Sequence, residues 1–291
     1  MEKKPTVKDV AKQAGVSVAT VSYIMNDRKD QKISEATRKK VLQIANLLNY
    51  HPSHAAKTLA TGKTNIIGVA YMLDATRPSR NMEITNYVNL LIERLNRMKY
   101  DVIFLSAEPE SNHLPLNGNI DGIIAIDLPT DTFRHLADNY LVPIISVDML
   151  VNDALFYQVY TDYAKKLKEA YTLLGEDAVL VLDKFSNESY TDYILQNSIG
   201  QVLFADLLTD EALVSLKEQK AIIIGNYLAL LLTPYMSPEN MLIISSEENM
   251  SFLPHGSHCL SIDSSKKANF SINLLLNAID RKFEVAHDYA I

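Results

Sequence analysis

Residues 5–26 read PTVKDVAKQAGVSVATVSYIMN and predict two short helices joined by a glycine turn. Thr6 predicts the start of a first helix over residues 7–14, because its hydroxyl can accept a hydrogen bond from an N–H of the first turn. Gly15 can adopt the positive φ that a tight turn needs, and Ser17 predicts the start of the second helix. This arrangement is typical of a helix-turn-helix, whose second helix enters the DNA major groove N-terminus first.

The second helix is predicted to carry small side chains on its outward face. Val16, Val21 and Ile24 are expected to pack against the first helix. The residues left facing outward, or near the helix start, are Val18, Ala19, Thr20, Ser22 and Tyr23. Short side chains allow such a helix to approach the bases closely. Spacing alone is also compatible with a small helical hairpin that does not bind DNA.

The charge distribution favours DNA binding over that alternative. Residues 1–64 contain 12 Lys plus Arg against 5 Asp plus Glu, although the whole chain has a net charge of −7. A basic head on an acidic body can bind phosphate with its head and keep the body away from DNA. The candidate phosphate contacts are Lys3, Lys4, Lys8, Lys29, Lys32, Lys39 and Lys40. Each of these lysines could equally be a solvated surface charge.

A third helix and a short linker are predicted next. Residues 34–49, SEATRKKVLQIANLLN, begin with a capping serine and place Val41, Ile44, Ala45 and Leu48 on one apolar face that would cover the first two helices. Residues 53–65, SHAAKTLATGKTN, are helix-capable but too short to be stable alone in water. This segment is therefore expected to be a hinge that becomes helical only when docked.

Several segments of the chain resemble one family. The segments VKDVAKQAGVSVATVS, ISEATRKKV, LNYHP, LATGKTNIIGVA and NIDGIIAI are similar to the lactose-repressor/galactose-repressor (LacI/GalR) family of bacterial transcription regulators. The resemblance is dense over residues 5–72 and patchier beyond them. It implies three parts: a DNA-binding domain over residues 1–50, a hinge helix or linker over 51–64, and an effector and dimerisation domain over 65–291.

The resemblance also implies which residues meet DNA. They are Thr6, Val7, Ser17, Val18, Ala19, Thr20, Ser22, Tyr23, Asn26, His51, Ser53, Ala56 and Leu59. In the family pattern, Leu59 is the hinge leucine that wedges between base steps in the minor groove and kinks the duplex, and Ala56 packs beside it. The unstacking costs a few kcal/mol and is offset by contacts to the bent DNA. Alternatively, Leu59 is an ordinary hinge residue packed on a partner chain.

Tyr23 departs from the family pattern. This position is most often Arg in the family, where it can make a bidentate contact to guanine. A phenol has one hydroxyl and an apolar ring, so Tyr23 cannot reproduce that contact but could meet a thymine methyl or a phosphate. The half-site is therefore expected to differ from the commonest operator of the family.

The body, defined as residues 65–291, is predicted to be α/β. Apolar runs occur at residues 66–72, 101–106, 122–126, 143–147, 178–182, 221–224 and 241–244. Helical spacing is clearest in Ile84, Tyr87, Val88, Leu91, Ile92, Leu95 and Met98. Alternating strands and helices predict parallel sheets covered on both faces, here as two sheets with a cleft between them. By resemblance, this is a shortened periplasmic-binding-protein-like effector domain of type I.

The resemblance implies an effector site in this cleft. Its candidate residues are Tyr71, Asp148, Tyr190, Asn226 and Glu247, which come at or after the carboxyl ends of apolar strands or on the helix that follows one. A carboxylate and an amide suit sugar hydroxyls, although the same residues could simply cap helices or turns. The family's usual arginine is missing, because no arginine occurs between Arg134 and Arg281, and Tyr190 takes its aligned position.

Several functional classes find no support in the sequence. The chain has no GxGxxG, P-loop or GxSxG motif, and its seven histidines show no metal-ligand spacing, so no enzyme activity, cofactor or metal is expected. The lone Cys259 fits a reducing compartment. MEKKPTVKD lacks an apolar stretch for a signal peptide, and no stretch is long enough to span a bilayer. We therefore expect a cytoplasmic protein without membrane contact, associated with the nucleoid when bound to DNA.

Two hypotheses for function follow. In the first, the chain is a homodimer that represses sugar-utilisation genes at a pseudopalindromic double-stranded operator, under control of a small sugar or sugar phosphate. In the second, the body serves dimerisation or protein binding and has no small-molecule effector. The missing arginine favours the second hypothesis. So do the crossover segments at residues 106–119, 183–202 and 232–241, which are shorter than the family resemblance implies. Asp148, Asn226 and Glu247 favour the first.

Overall fold

The computed structural model divides the chain into two compact units, Met1–Thr64 and Asn65–Ile291. It describes residues 5–26, 31–50, 62–107, 120–282 and 286–291. The second unit is the body.

The first unit contains the three predicted helices. They are α1 (Val7–Ala14), α2 (Val18–Met25) and α3 (Glu35–Leu47). Gly15 has φ 69° and ends α1 in the left-handed conformation, which glycine adopts without steric cost. Ser17 and Ser34 cap α2 and α3, since their hydroxyl oxygens accept from backbone N–H groups three residues later, at 3.0 and 3.2 Å.

The cap of α1 is a capping box, in which the Thr6 side chain faces the backbone N–H of Asp9 and the Asp9 side chain accepts from the backbone N–H of Thr6. The Thr6 backbone N–H donates to the Asp9 carboxylate at 2.8 Å, and the Thr6 hydroxyl donates to the same oxygen at 2.7 Å. The helix begins at the predicted place.

The core of the first unit is small and apolar. Val10, Val21 and Val41 are fully buried, one from each helix. They pack with Ala11, Ala14, Ile24 and Ala45, and Val16, Ile44 and Leu48 lie partly buried at the edge. The predicted faces of all three helices therefore meet.

The body contains eleven strands in the described residues. They are β1 (Ile66–Tyr71), β2 (Asp101–Leu105), β3 (Gly122–Ile126), β4 (Ile144–Val147), β5 (Tyr157–Tyr160), β6 (Val179–Leu182), β7 (Val202–Phe204), β8 (Ala221–Ile224), β9 (Met241–Ser246), β10 (His258–Ile262) and β11 (Asp288–Ala290). All seven predicted runs are strands. The additional strands are β5, β7, β10 and β11.

These strands form two parallel sheets. The first has the order β11-β5-β4-β3-β1-β2, and the second has the order β10-β9-β8-β6-β7. Every strand pair is parallel. The two sheets and the parallel pairing confirm the predicted fold class.

Seven α-helices join the strands in the described part of the body. They are α4 (Pro78–Arg97), α5 (Thr130–Asn139), α6 (Tyr163–Leu174), α7 (Glu188–Gln196), α8 (Asp210–Ser215), α9 (Asn226–Leu232) and α10 (Ser264–Ile279). We call the first sheet with α4, α5 and α10 lobe 1, and the second sheet with α6, α7, α8 and α9 lobe 2. The helices α7 and α9 are short, with 9 and 7 residues.

The apolar face of α4 belongs to the core of lobe 1. Ile84, Leu91 and Leu95 are at most 1% exposed and pack with Ile67 of β1. This apolar face is covered by the chain itself. A dimer contact through α4 would have to use another side of the helix.

Candidate DNA-binding surface and interlobe site

The predicted DNA-reading face of α2 is accessible. Val18 is 42% exposed despite being apolar, and Ala19 and Ser22 are exposed beside it. Thr20 and Tyr23 are half-buried. Since the opposite side of α2 is buried against α1 and α3, the outward residues form a continuous surface of small side chains.

Local hydrogen bonds hold the ends of α2. The hydroxyls of Ser17 and Thr20 lie 2.9 Å apart at its start. At its end, the side-chain amide of Asn26 donates to the backbone oxygen of Ser22 at 2.8 Å. Thr6 and Val7, which are predicted to meet DNA at the start of α1, are exposed and half-buried, respectively.

Seven predicted DNA contacts lie outside the described residues. These are the candidate phosphate contacts Lys3, Lys4 and Lys29 and the residues His51, Ser53, Ala56 and Leu59. Their roles stay predictions from the sequence.

The carboxyl ends of the strands carry acidic side chains where the two lobes meet. Asp127 follows β3, Asp148 follows β4 and Asp183 follows β6, and all three are at most 5% exposed. Asp127 and Asp148 have φ of 47° and 49°, a left-handed conformation that aspartate tolerates better than most residues. Buried carboxylates are costly unless they are paired.

The side chain of Arg80, in the first turn of α4, pairs with two of these carboxylates and with Glu83. Its Nε donates to Asp127 at 3.0 Å, its Nη2 donates to Asp148 at 3.1 Å, and its Nη1 donates to Glu83 at 3.1 Å. Its guanidinium lies 4.3 Å from the ring centre of Phe185. A planar guanidinium can serve several carboxylates at once, which a lysine ammonium at the end of one chain does less well.

Lys267, in the first turn of α10, holds Asp148 from a second side. Its Nζ lies 2.8 and 2.9 Å from the two carboxylate oxygens of Asp148, and it donates to the Thr161 hydroxyl at 3.2 Å. The side chains of Lys267 and Asp148 are each 6% exposed. Asp148 therefore already has two cationic partners from its own chain.

Burial and these charges shift the pKa values of the cluster in opposite directions. Burial acts to raise the pKa of Asp148, but the charges of Lys267 and Arg80 outweigh it and hold this pKa below its ordinary value. For Asp127 and Glu83, burial prevails over the charge of Arg80 and raises the pKa. Asp148 is thus the most firmly ionised of these carboxylates.

The five predicted effector residues make different contacts. Asp148 is bound by Arg80 and Lys267. Tyr190 is fully buried, and its hydroxyl donates to the backbone oxygen of Thr161 at 2.7 Å. Asn226 begins α9 and is 6% exposed; its Oδ1 has no partner among the described residues.

The two remaining predicted effector residues, Tyr71 and Glu247, contact residues outside the ion cluster. Tyr71 ends β1, and its ring packs edge-on against Phe104 with centroids 5.0 Å apart. Glu247 is exposed and accepts from the Ser261 hydroxyl at 3.3 Å. None of these contacts links Tyr71 or Glu247 to Asp148.

A cavity of about 230 Å³ lies beside the ion cluster. Arg80, Glu83, Asp148, Thr161 and Lys267 contribute to its walls, together with Glu93 and Glu248. Of the predicted effector residues, Asp148 alone appears in its lining. The lining contains four carboxylates and two cations, and both cations are engaged by carboxylates.

Sequence analysis missed Arg80 and Lys267. The family resemblance implies an arginine on the helix after β6, whereas the buried arginine of this chain comes from the helix after β1. Both residues share a local signal, because each stands in the first turn of a helix that follows a strand. A cation there is unusual, since the positive end of the helix dipole disfavours it unless carboxylates lie close by.

The described residues contain neither a metal-ligand cluster nor a membrane-spanning helix. Within the described ranges, His, Cys, Asp and Glu side chains form no group of three or more that could hold a metal ion. No helix in the described part of the chain combines the length and the apolar character needed to cross a bilayer.

Comparison with protein families places the first unit. Residues 6–53 match the model of bacterial regulatory proteins of the lacI family. Catabolite control protein A of Streptococcus mutans is 28% identical over 182 residues, covering 59% of this chain and 51% of that protein. The HTH-type transcriptional repressor PurR of Pasteurella multocida is 32% identical over 151 residues, covering 49% and 43%. The chain thus spans about half the length of the curated relatives it matches.

Comparison with solved structures extends over nearly the whole chain. The Lac repressor dimer bound to operator and the anti-inducer ONPF has a TM-score of 0.66 and 18% sequence identity, with 99% of this chain and 96% of that chain aligned. At 18% sequence identity, this structural similarity shows a shared fold only. Residues 6–53 thus match the family model of the lacI-type bacterial regulatory proteins, and the chain shares the fold of the Lac repressor.

Proposed function

We propose that the chain is a sequence-specific DNA-binding transcriptional regulator that binds a pseudopalindromic operator as a homodimer. The observation that carries this proposal is the helix α2, which is capped at its start, buried on one side and lined with small side chains on the other. One such helix reads only a few base pairs, so a two-fold dimer supplies the second half-site. The Lac repressor, whose fold the chain shares, has been solved as a dimer on its operator.

In vitro selection from random double-stranded DNA tests this proposal, and Tyr23 provides its sharpest readout. The wild-type chain is expected to enrich two inverted half-sites. In Tyr23→Arg, one position of each half-site is expected to shift towards guanine, because a guanidinium can contact guanine O6 and N7 together. The discrimination gained corresponds to about 1–3 kcal/mol for a good bidentate contact.

A matched control separates base reading from added charge. Gln13→Arg adds the same charge at an exposed position near the end of α1. It is expected to strengthen binding to all sequences at low salt without changing the selected motif. Identical motifs for the wild-type chain and Tyr23→Arg would contradict the assignment of Tyr23 to base reading, and enrichment of no motif by the wild-type chain would contradict the function.

For the body, the geometry best supports a module without a small-molecule effector. Asp148 is the predicted effector residue that lines the cavity. Its carboxylate oxygens are already bound by the Arg80 and Lys267 nitrogens at 2.8–3.1 Å. An effector could use this carboxylate only by displacing a buried cation. The body would then serve dimerisation or binding of a protein partner.

The cavity beside the cluster favours a second candidate, in which a small sugar controls repression of sugar-utilisation genes. Its volume of about 230 Å³ is at the scale of a small ligand. Carboxylates outnumber cations in its walls, so a neutral sugar is favoured over a sugar phosphate, whose charge they would repel.

A thermal-shift screen of the full chain distinguishes the two candidates. Binding of a ligand to the folded state alone raises the melting temperature, by an amount that grows with ligand concentration. With mono- and disaccharides and their phosphates at millimolar concentration, the body without an effector predicts no shift. A shift with a neutral sugar would establish the second candidate, and a larger shift with its phosphate would contradict the charge argument.

A further inference from the structure

The boundary between the two lobes contains a continuous set of buried polar contacts made by the chain itself. From these contacts we infer that Arg80 and Asp127 form a built-in lock that keeps the lobes closed when no ligand is bound. Closure of a two-lobed body around a ligand usually depends on polar groups that the ligand supplies. In this chain, side chains already fill that role.

Asp127 is the link between the lobes. It follows β3 in lobe 1 and is fully buried. One of its oxygens accepts from Arg80 at 3.0 Å, within lobe 1. The other accepts from the backbone N–H groups of Ser186 and Asn187, in lobe 2, at 2.8 and 3.3 Å. A single carboxylate therefore ties the arginine to the backbone of the opposite lobe.

The segment of lobe 2 that receives Asp127 is held by further contacts. Asn187 is fully buried, its Oδ1 accepts from the Leu150 N–H at 3.0 Å, and its Nδ2 donates to the Leu128 carbonyl at 3.3 Å. Both partners lie in lobe 1. Asn187 thus repeats the interlobe connection next to Asp127.

The start of α4 makes a second connection to lobe 2. The backbone N–H of Arg80 donates to Asp183 at 2.9 Å, and the side chain of Arg77 donates to the carbonyl of Lys184 at 3.2 Å. The Ser79 hydroxyl accepts from the N–H of Leu228 in α9 at 3.2 Å. Gly225 permits this approach, because a Cβ there would lie only 2.2 Å from the Ser79 hydroxyl oxygen.

These contacts make opening unfavourable for a physical reason. The side chain of Arg80 is 5% exposed and that of Asp127 is 0% exposed. Both charges are therefore already out of water in the closed arrangement, where their partners compensate for the lost hydration. If the lobes part, Asp127 loses its two backbone donors and Arg80 loses the face of Phe185. Buried polar groups that lose their partners are expensive, so the closed arrangement is favoured as a unit.

The lock gives the proposed regulator a specific behaviour. This inference rests on the proposed function in its form without a small-molecule effector. The lock then predicts that the body populates one closed state whether or not a ligand is present. A ligand changes such an equilibrium only through different affinity for two states, and the lock removes the open state from appreciable population.

The distance between spin labels on the two lobes tests the lock directly in the full chain. Labels are placed at Asp138→Cys in α5 and Lys217→Cys after α8, both exposed, in a Cys259→Ser background. The labelled chain is mixed with an excess of unlabelled chain, so that a dimer carries one labelled subunit and the measured distance lies within that subunit. Without ligand, the chain is expected to give one narrow distance distribution. A broad distribution, or two distances of comparable weight, would overturn the lock, and this measurement needs no change in the cluster.

Arg80→Lys then tests whether the arginine causes the closure. A lysine keeps the charge but cannot donate to Asp127 and Asp148 while also covering Phe185, so a second, longer distance is expected. Arg97→Lys, at the exposed end of the same helix, is the control and should keep the single distance. An unchanged distribution in folded Arg80→Lys would overturn the role of Arg80. If the wild-type chain enriched no DNA motif, the proposed function would be overturned instead. The distances between the spin labels would still test the lock independently.

Discussion

Asp148→Asn is expected to destabilise the body by about 3–5 kcal/mol, the usual cost of removing one partner of a buried ion pair. Lys267 would keep a buried ammonium whose carboxylate partner is gone, and Arg80 would lose one of its three carboxylates. For a unit of this size, the loss corresponds to a fall in melting temperature on the order of 10 °C. Thermal unfolding followed by circular dichroism measures it.

Asp192→Asn is the matched control for this change. Asp192 is an exposed aspartate on α7, and exposed charges contribute little to stability. Its melting temperature is expected to lie close to that of the wild-type chain. If Asp148→Asn melted at the same temperature as this control, the ion cluster would have no role in stability.

The effect of Asp148→Asn depends on pH in a defined direction. The folded chain holds the pKa of Asp148 below its ordinary value, so the unfolded state binds its proton first as the pH falls. The stabilisation is therefore complete above about pH 4, the ordinary aspartate pKa, and is lost as the pH falls further. The urea midpoints of the two proteins should differ most at neutral pH and approach each other below about pH 4.

Leu59→Ala is expected to weaken operator binding by roughly ten- to a hundred-fold, because a leucine wedge buries an apolar side chain worth about 1.5–3 kcal/mol. The bend of the operator should decrease with it, since the unstacked base step is no longer held apart. Fluorescence anisotropy measures the affinity, and circularly permuted operator fragments in a gel measure the bend. The melting temperature of the body should not change.

Leu141→Ala provides the comparison for Leu59. Leu141 is 90% exposed in the body, so its truncation should alter neither affinity nor bending. A Leu59→Ala protein that bends its operator as strongly as the wild-type chain would refute the wedge and support the alternative, in which Leu59 packs on the partner chain.

The first unit was predictable because its signals are local. The caps at Ser17 and Ser34, the turn at Gly15 and the apolar spacing of each helix act over three or four residues. At Thr6 the structure adds one contact to the predicted cap, because the hydroxyl also donates to the nearby Asp9.

The body was predictable in class but not in every strand. Continuous apolar runs such as GIIAI and AIII are strands buried on both faces, which the sequence shows without ambiguity. The missed strands lack such runs: β5 reads YQVY, and β7 and β11 have three residues each. Short strands of this kind are stabilised by the neighbours with which they pair, and a single sequence does not show those neighbours.

The sequence by itself determined a helix-turn-helix head and a two-sheet parallel body, because caps, turns and apolar periodicity act between residues close together in the chain. The tertiary structure alone decided what occupies the space between the lobes. Arg80 is 47 residues from Asp127 and 68 from Asp148, and Asp148 is 119 from Lys267. No local pattern links such residues; the parallel sheets bring them together by placing the carboxyl ends of their strands along one edge, where burial requires each charge to have a partner.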